Sequence, residues 1–420
     1  MILTLFILFF FLIFVGVPIA FALALSSTAV IYFFTDTPLL LVIQRMYSGL
    51  DVFVLMAIPL FLFAGNLMTE VKISEKLVAL ASIFLGRYRG GLSLVATSAS
   101  AIFGAISGSA NATTAAIGSV MIPTMARRGY DQADAAAVVA ASGILGLIVP
   151  PSITMVLYGV VAGVSIGDLF LSGIVPAIII AAGLMAVNYW VALRKGYKGD
   201  APIGLHASIH IIRDSLVALL MPVIILGGIY SGAFTPTESA AVASLYGLIV
   251  GFAWYRNLSL RSVFAISKRT VEVTATILFL IAASNIFTYV LSAQSVPQKL
   301  AASLIEFSSN PYVIMVLILG MLLILGTFLD NVAAIILVTP TLMPVVTALE
   351  IDPIFFGVYM VIAVAVGQIT PPVGLNLFIA TNLTNRRFED VVRSSTPYFI
   401  LYGVLLVVFI AIPGALSVFG

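Results

Sequence analysis

Long unbroken apolar runs constrain this sequence more than any other feature. MILTLFILFFFLIFVGVPIAFALALSSTAVIYFF opens it, and comparable stretches recur along its length. A helix crossing a bilayer needs about 20 such residues, so a chain with many of these runs crosses repeatedly. Charge agrees with this: only 9% of the 420 residues are Asp, Glu, Lys or Arg, against roughly 25% in soluble domains. The runs are continuous rather than alternating, so the spans are helices and not strands of an outer-membrane barrel. The expectation is an all-α polytopic membrane protein. Its opening run lacks a basic leader and a small-residue cleavage site, and reads as a retained membrane helix. The net charge of +2 and the lack of a basic cluster give no sign of nucleic acid. Without cysteine, neither disulfides nor thiolate-bound metals are open to the chain.

Crossings are expected at about 2–15, 18–34, 52–69, 131–163, 170–193, 214–231, 237–255, 271–293, 355–383 and 397–419. Gly16, Val17 and Pro18 divide the first stretch into two helices. Two further segments, about 91–126 and 311–347, are too long for one span and polar at their centres, and read as re-entrant helical hairpins. Arg87 and Arg89 precede the first hairpin and Arg127 and Arg128 follow it, which makes both its mouths cytoplasmic. Counting crossings outward places all but Arg45 and Lys299 of the 19 basic residues on that same face. The second hairpin, between Glu306 and the pair Glu350 and Asp352, then opens to the periplasm, as do both termini.

The chain also contains itself twice. Gly146-Leu-Ile-Val-Pro150-Pro151 recurs 221 residues later as Gly367-Gln-Ile-Thr-Pro371-Pro372, and Met121-Ile-Pro123 pairs with Leu342-Met-Pro344 at the same offset. The break at Pro18 has a looser counterpart at Pro236. Each half, 1–200 and 201–420, reads as two helices joined by a Pro turn, an interfacial arm, a helix, a hairpin, a broken helix and a last helix. The arms fall at about 38–49 and 257–269, and the broken helices at about 131–163 and 355–383. Because the halves enter from opposite sides, this is an inverted-topology repeat, an architecture of secondary transporters whose sites lie at discontinuous helices near the midplane.

Four segments should therefore converge. The first hairpin tip offers Ser107, Gly108, Ser109 and Asn111, and the second Gly326, Thr327, Asp330 and Asn331. The breaks offer Pro150, Pro151 and Ser152, then Gln368, Thr370, Gly374 and Asn376. Adjacent prolines open a helix, and freed carbonyls are tolerated at that depth only where they line a watery or protein-enclosed site. Carbonyl, hydroxyl and amide oxygens with one carboxylate make a hard-cation cage. Sodium suits it better than calcium, which prefers several carboxylates, and the missing Cys and His argue against a transition metal. We expect Na+ at Ser107, Ser109, Asn111, Ser152, Asp330 and Gly374. Helix starts aimed into the same space suit an anion. No Lys or Arg lies within a span, so dipoles, hydroxyls, amides and bound cations would hold it.

Plainer readings stand beside these. Asp330 could be a structural hydrogen-bonding group, although ionisable residues at membrane depth are costly. Ser107 and Ser109 could serve close packing, and Ser152 could cap the helix after the break. Glu238, just after Pro236, reads as a partner for a helix N-terminus, and His206 and His210 lack a third metal ligand. An intramembrane hydrolase would need a Ser–His or paired-Asp arrangement that the spans do not offer, and no Walker loop for ATP occurs. An enzyme is not expected; an anion channel or a proton-coupled permease with Asp330 as the carrier stays open.

GVPIAFAL near the start, IPLFLFAGNLM at 58–68, SGSANATTAAIGSVMIPTMARRGYD at 107–131 and ASGILGLIVPPSI at 141–153 form one half of a longer pattern. GGIYSGAFTPTESAAVA at 227–243, FLDNVAAIILVTPTLMPV at 328–345 and GQITPPVGLNLF at 367–378 complete it. Together these resemble the large membrane subunit of TRAP (tripartite ATP-independent periplasmic) transporters. The resemblance implies a sodium-coupled importer of an organic acid in a bacterial inner membrane, such as a C4-dicarboxylate or sialic acid. It implies an elevator, in which a bundle of hairpins and broken helices slides against a scaffold of the remaining helices and arms. It also implies a separate four-helix membrane subunit and a periplasmic substrate-binding protein, with no organic cofactor. In the family pattern Ser107, Ser152 and Asp330 belong to the sodium and substrate site. Val373 departs from the repeat, standing where Ser152 stands in the first half. A stand-alone divalent-anion/sodium symporter is the alternative within the same class.

Overall fold

The computed structural model describes residues 1–201, 203–308 and 310–413, and every regular element among them is helical. In the first half, α1 (Ile2–Phe14) and α2 (Ile19–Phe34) part at Gly16 and Pro18, as expected. The arm α3 (Leu40–Ser48) leads through a 3-10 turn at Phe53–Met56 into α4 (Ala57–Glu70). Next come α5 (Ile73–Leu85), the hairpin pair α6 (Gly91–Ser107) and α7 (Ala110–Arg127), and the interrupted run α8 (Gln132–Gly143), α9 (Leu145–Ile148) and α10 (Ile153–Ala162). Helix α11 (Ile166–Lys195) closes this half. The second half runs α12 (Leu205–Tyr230), α13 (Pro236–Ile249) with a π turn at Val250–Trp254, α14 (Leu260–Ala293) and α15 (Val296–Phe307). It continues through α16 (Pro311–Phe328), α17 (Asn331–Ala348), α18 (Pro353–Gly367), α19 (Leu375–Thr381) and α20 (Phe388–Ala411). Eight helices of the described residues are long and apolar enough to cross a membrane. The span expected at 397–419 ends partly outside the described residues.

Helix boundaries recur with the sequence motif. Ser107 and Phe328 end α6 and α16, and Ala110 and Asn331 begin α7 and α17; each pair stands 221 residues apart. Both Pro-Pro bonds are cis, and the chain bends by 42° between the two parts of the first broken helix.

Three departures from the sequence reading have local causes. Helix α5 carries Lys72, Glu75 and Lys76 around its start, which hid it among the loops. Helix α15 carries Lys299 and Glu306 and was hidden in the same way. The arm expected at 257–269 is the first part of the 34-residue α14. Ser259 and Ser262 cap that helix reciprocally, and no Gly or Pro interrupts it. Glu238 does serve the N-terminus of α13: its carboxylate accepts from the Thr235 backbone at 2.8 Å, completing a capping box.

Two helices are buried on every side. All residues of α8 from Ala133 to Gly143 are buried, as are all of α18 from Phe355 to Gly367. A helix covered on every face sits at the centre of a layer. Around α8 pack α6, α7, α19 and α20, and around α18 pack α10, α11, α16 and α17. A second layer joins α4 to α13, α2 to α14 and α1, and α12 to α13. The two layers meet where α4 touches α6 and α10, and where α14 touches α17.

Candidate functional site

Three of the four interruptions, the two hairpin tips and the first break, end at one place because each helix stops where its sequence forces it to. Helix α6 stops at Gly108, whose φ of +60° suits a residue without Cβ. Ser109 then caps α7, its hydroxyl accepting from the Ala112 N–H at 3.4 Å. The Gly108 carbonyl accepts from the Ile153 N–H at 3.4 Å, which ties this tip to the first break. There Ser152 caps α10 and its hydroxyl lies 2.8 Å from that of Thr154. In the second hairpin Asp330 caps α17, its carboxylate accepting from the Val332 N–H at 3.1 Å.

A cavity of about 300 Å³ opens between these ends. Gly108, Ser109 and Asn111 line it from the first tip, Ile153 and Thr154 from the first break, and Asp330, Asn331 and Val332 from the second. The facing wall comes from the other layer: Leu62 of α4 and Val273, Thr276 and Ile277 of α14. Asp330 opens into this space with the Asn111 amide beside it.

Of the residues expected from sequence, Gly108, Ser109, Asn111, Asp330 and Asn331 thus share one cavity. Ser107 and Ser152 stand just behind its wall: Ser107 Oγ is 2.9 Å from Thr113 Oγ1, and Ser152 faces Thr154. Pro150 and Pro151 are buried in the break itself. Thr327 donates to the Ile324 carbonyl at 2.7 Å and Thr370 to the Val366 carbonyl at 2.9 Å, so both hydroxyls are bound within their own helical turns. Gly326 lies against α18. Gln368, Gly374 and Asn376 form a second group at the other break, where the Asn376 N–H donates to the Gln368 carbonyl at 3.0 Å. Gly374 therefore does not join the other expected sodium ligands at the first cavity. Thr154 and Thr276 were missed as site residues. Thr154 sits two positions after Ser152 and could have been found there, whereas Thr276 is one threonine in a long helix.

Among the described residues, some of the buried polar atoms without partners lie at these two places. Asn111 Oδ1 and Asn331 Oδ1 are buried with no hydrogen bond, and both side-chain amide atoms of Gln368 and of Asn376 are also unpaired. Each such group costs about 1–3 kcal/mol if nothing satisfies it. Amide oxygens beside a carboxylate are a donor set that suits a hard cation.

Comparison with known proteins is consistent along the whole chain. The model of the family described as "Tripartite ATP-independent periplasmic transporter, DctM component" matches residues 6–415. The C4-dicarboxylate TRAP transporter large permease protein of Pseudomonas aeruginosa is 38% identical over 392 residues, 93% of this chain and 92% of its own. The sialic acid TRAP transporter large permease protein of Vibrio cholerae is 35% identical over 96% of this chain and 94% of its own. The isethionate TRAP transporter permease protein DctMQ of Oleidesulfovibrio alaskensis is 40% identical, but this chain spans only 63% of its length. Among solved structures, the Alcanivorax borkumensis YdaH transporter superposes with a TM-score of 0.67 at 15% identity, over 90% of this chain and 88% of that one. The Neisseria gonorrhoeae efflux pump MtrF gives 0.62 at 13% identity, over 94% and 93%. At such identities the likeness is one of fold.

Proposed function

From the premise that this chain belongs to the DctM family, the large permease component of tripartite ATP-independent periplasmic transporters, we propose that it imports an organic acid together with sodium. It is a transporter permease and not an enzyme. The substrate in this reading is a carboxylate such as a C4-dicarboxylate or sialic acid, the acids named for its relatives. The observation that carries the reading is the cavity at Asp330, lined by two hairpin tips and one break on one side and by α4 and α14 on the other.

We assign Na+ to the Asp330, Asn111 and Ser109 oxygens, with Ser107 and Ser152 behind them, and a second ion to the Gln368–Asn376 group. The unpaired amide oxygens support both assignments. The acid would lie in the cavity against hydroxyls and helix starts, its charge balanced by the bound cation.

In this proposal the halves 1–200 and 201–420 are inverted repeats, and the hairpins and broken helices form a bundle that moves as an elevator. Helices α11 and α20 pack on α6, α8 and α18, so we place them in the moving bundle rather than the scaffold. In this proposal the scaffold is α1–α4 and α12–α14, including the α3 arm, with α5 and α15 as connecting helices. In this reading a small four-helix membrane subunit works with the chain, and a periplasmic binding protein would deliver the acid. The setting is the bacterial inner membrane, with membrane lipid around the scaffold.

Thermal unfolding in sodium against potassium at fixed ionic strength tests the reading. A ligand at about 100 times its dissociation constant adds roughly 2.7 kcal/mol. A sodium-specific rise that Asp330→Asn diminishes is expected. Equal curves in both salts with a strong pH dependence would overturn sodium coupling in favour of proton coupling through Asp330.

A further inference from the structure

A second cavity, of about 270 Å³, lies further along the same two helices. Ser284, Asn285 and Thr288 of α14 and Ser48 of the α3 arm line it from one layer, and Ile336 and Pro340 of α17 line it from the other. The α14 residues at the first cavity are Val273, Thr276 and Ile277. Continued through Ile281 to Ser284, Asn285 and Thr288, they recur at spacings of three and four, and so fall on one face of the helix. On α17, Val332 lines the first cavity and Ile336 and Pro340 the second, again on one face. The two helices therefore run side by side past both cavities. From Ile277 to Asn285 the rise is about 12 Å along α14.

The second cavity is the more polar stretch of this track. Asn285 and Thr288 are half-buried and face it. A Cβ on Gly49 would collide with the Asn285 amide, so the arm is kept small where it passes that side chain. Ser284 Oγ donates to the Ile336 carbonyl at 3.3 Å, a bond from one layer to the other that any backbone carbonyl brought to the same place could replace. Polar groups on a spanning helix are costly unless they meet water, protein or a ligand. A face that only had to slide would need none of them.

We propose that Ser284, Asn285 and Thr288, with Ser48, form a second substrate station on α14, which receives the acid's polar groups when the bundle is displaced along this helix. The inference rests on the elevator reading above. Moved by about 12 Å, the Asp330–Asn331 tip leaves Thr276 and comes to face Asn285 and Thr288. Thr276 is then the scaffold's contact at one end of the stroke, and the Asn285 amide and Thr288 hydroxyl are its contacts at the other.

The chain has no cysteine, so introduced pairs report cleanly. The full chain with its small subunit is reconstituted in liposomes, with the binding protein supplied outside, as two double variants, Ile277→Cys with Val332→Cys, and Asn285→Cys with Val332→Cys. The first pair lines one cavity and is expected to cross-link at rest. The second is expected to cross-link on prolonged oxidation, to arrest transport, and to release it on reduction. If the second pair never links while the first does, the bundle does not slide along α14, and the station falls together with the elevator. The station is tested separately with Asn285→Leu combined with Thr288→Val, using the acid identified by uptake of labelled C4-dicarboxylate, sialic acid and isethionate. KM should rise about tenfold, the loss expected for a hydrogen bond to a charged group. Thr288→Ser, which keeps the hydroxyl, should hold the original KM. Cross-linking of the second pair with KM unchanged in the Leu/Val variant would overturn the station and leave the sliding intact.

Discussion

Gly367 lies backbone to backbone against Gly326: a Cβ on Gly367 would stand 2.5 Å from the Gly326 Cα. Neither main chain can yield without moving α16 or α18. Helix propensity alone would favour alanine over glycine by about 1 kcal/mol, but overpacking a tight contact costs about 1–3 kcal/mol, and here the clash is with backbone. Gly367→Ala should therefore lower the melting temperature. Gly320→Ala is the control, since nothing lies within 4 Å of a Cβ there; it should leave stability unchanged or raise it. Thermal unfolding of the two variants side by side checks the opposite signs.

A buried carboxylate holds the other end of the bundle. Both oxygens of Asp134 lie 2.7 Å from Lys195 Nζ, Tyr197 donates to the same group, and Ser394 Oγ donates at 2.8 Å. These contacts join α8 to α20 and to the end of α11. The Asp134 side chain is 7% exposed and that of Lys195 48%, so removing the acid strands two hydroxyls while the ammonium regains water. Asp134→Ala should cost about 2 kcal/mol. Arg386 also pairs with Asp131 at 3.0 Å, but both side chains are nearly half exposed, at 47% and 43%. Arg386→Ala should cost under about 1 kcal/mol and less still in high salt.

The phenols of this cluster set its pH range. Tyr130 stacks on Tyr197 with ring centroids 4.0 Å apart. Burial pushes the Tyr130 hydroxyl up to about 12. Burial first, and then the bond to Asp134, raise Tyr197 as well. A raised phenol stabilises the fold below its unfolded value of about 10, and that contribution is lost only as pH climbs through the folded value. Tyr197→Phe should therefore cost the same stability at pH 6 as at about pH 9. A loss that varied across that window would mean Tyr197 is not the protonated donor.

Much of this was legible in the sequence because prolines and glycines mark backbone events directly. Pro150-Pro151 and Pro371-Pro372 marked both breaks, Gly108 and Asp330 fell at helix ends in the hairpins, and Pro18 separated α1 from α2. What escaped carries no such mark. Helices α5 and α15 are amphipathic and charged, and resemble loops when apolar runs are the signal. The long α14 contains a polar stretch that looked like a separate arm, although nothing in it stops a helix. Thr276 and Asn285 are set in place only by packing between layers distant in sequence, which no local pattern encodes.

Asp330 does two things that one substitution can separate. Its carboxylate caps α17 through the Val332 N–H, and it is the acidic residue lining the first cavity. Asparagine caps a helix about as well as aspartate, so Asp330→Asn should fold with little change in melting temperature in potassium. In sodium it should lose the ion's stabilisation, and the half-saturating sodium concentration for uptake should rise about ten- to a hundredfold, the loss of a charged contact worth roughly 1.5–3 kcal/mol. Asp330→Ala, which also removes the cap, should lose about 1 kcal/mol more in either salt.

The two breaks answer differently to the same side chain. Ser152 is buried and caps α10, its hydroxyl accepting from the Met155 N–H at 3.4 Å. Val373, its counterpart one repeat later, is 41% exposed, and α19 begins from Gly374 at φ +58° instead. A hydroxyl at 373 would sit one position before the residue from which α19 begins. Val373→Ser should change stability by less than about 0.5 kcal/mol. Ser152→Val should cost about 0.5–2 kcal/mol through the lost cap, and more once Thr154 Oγ1 is left without its partner. If the two substitutions proved equally costly, position 373 would be doing for α19 what Ser152 does for α10, and the breaks would be equivalent after all.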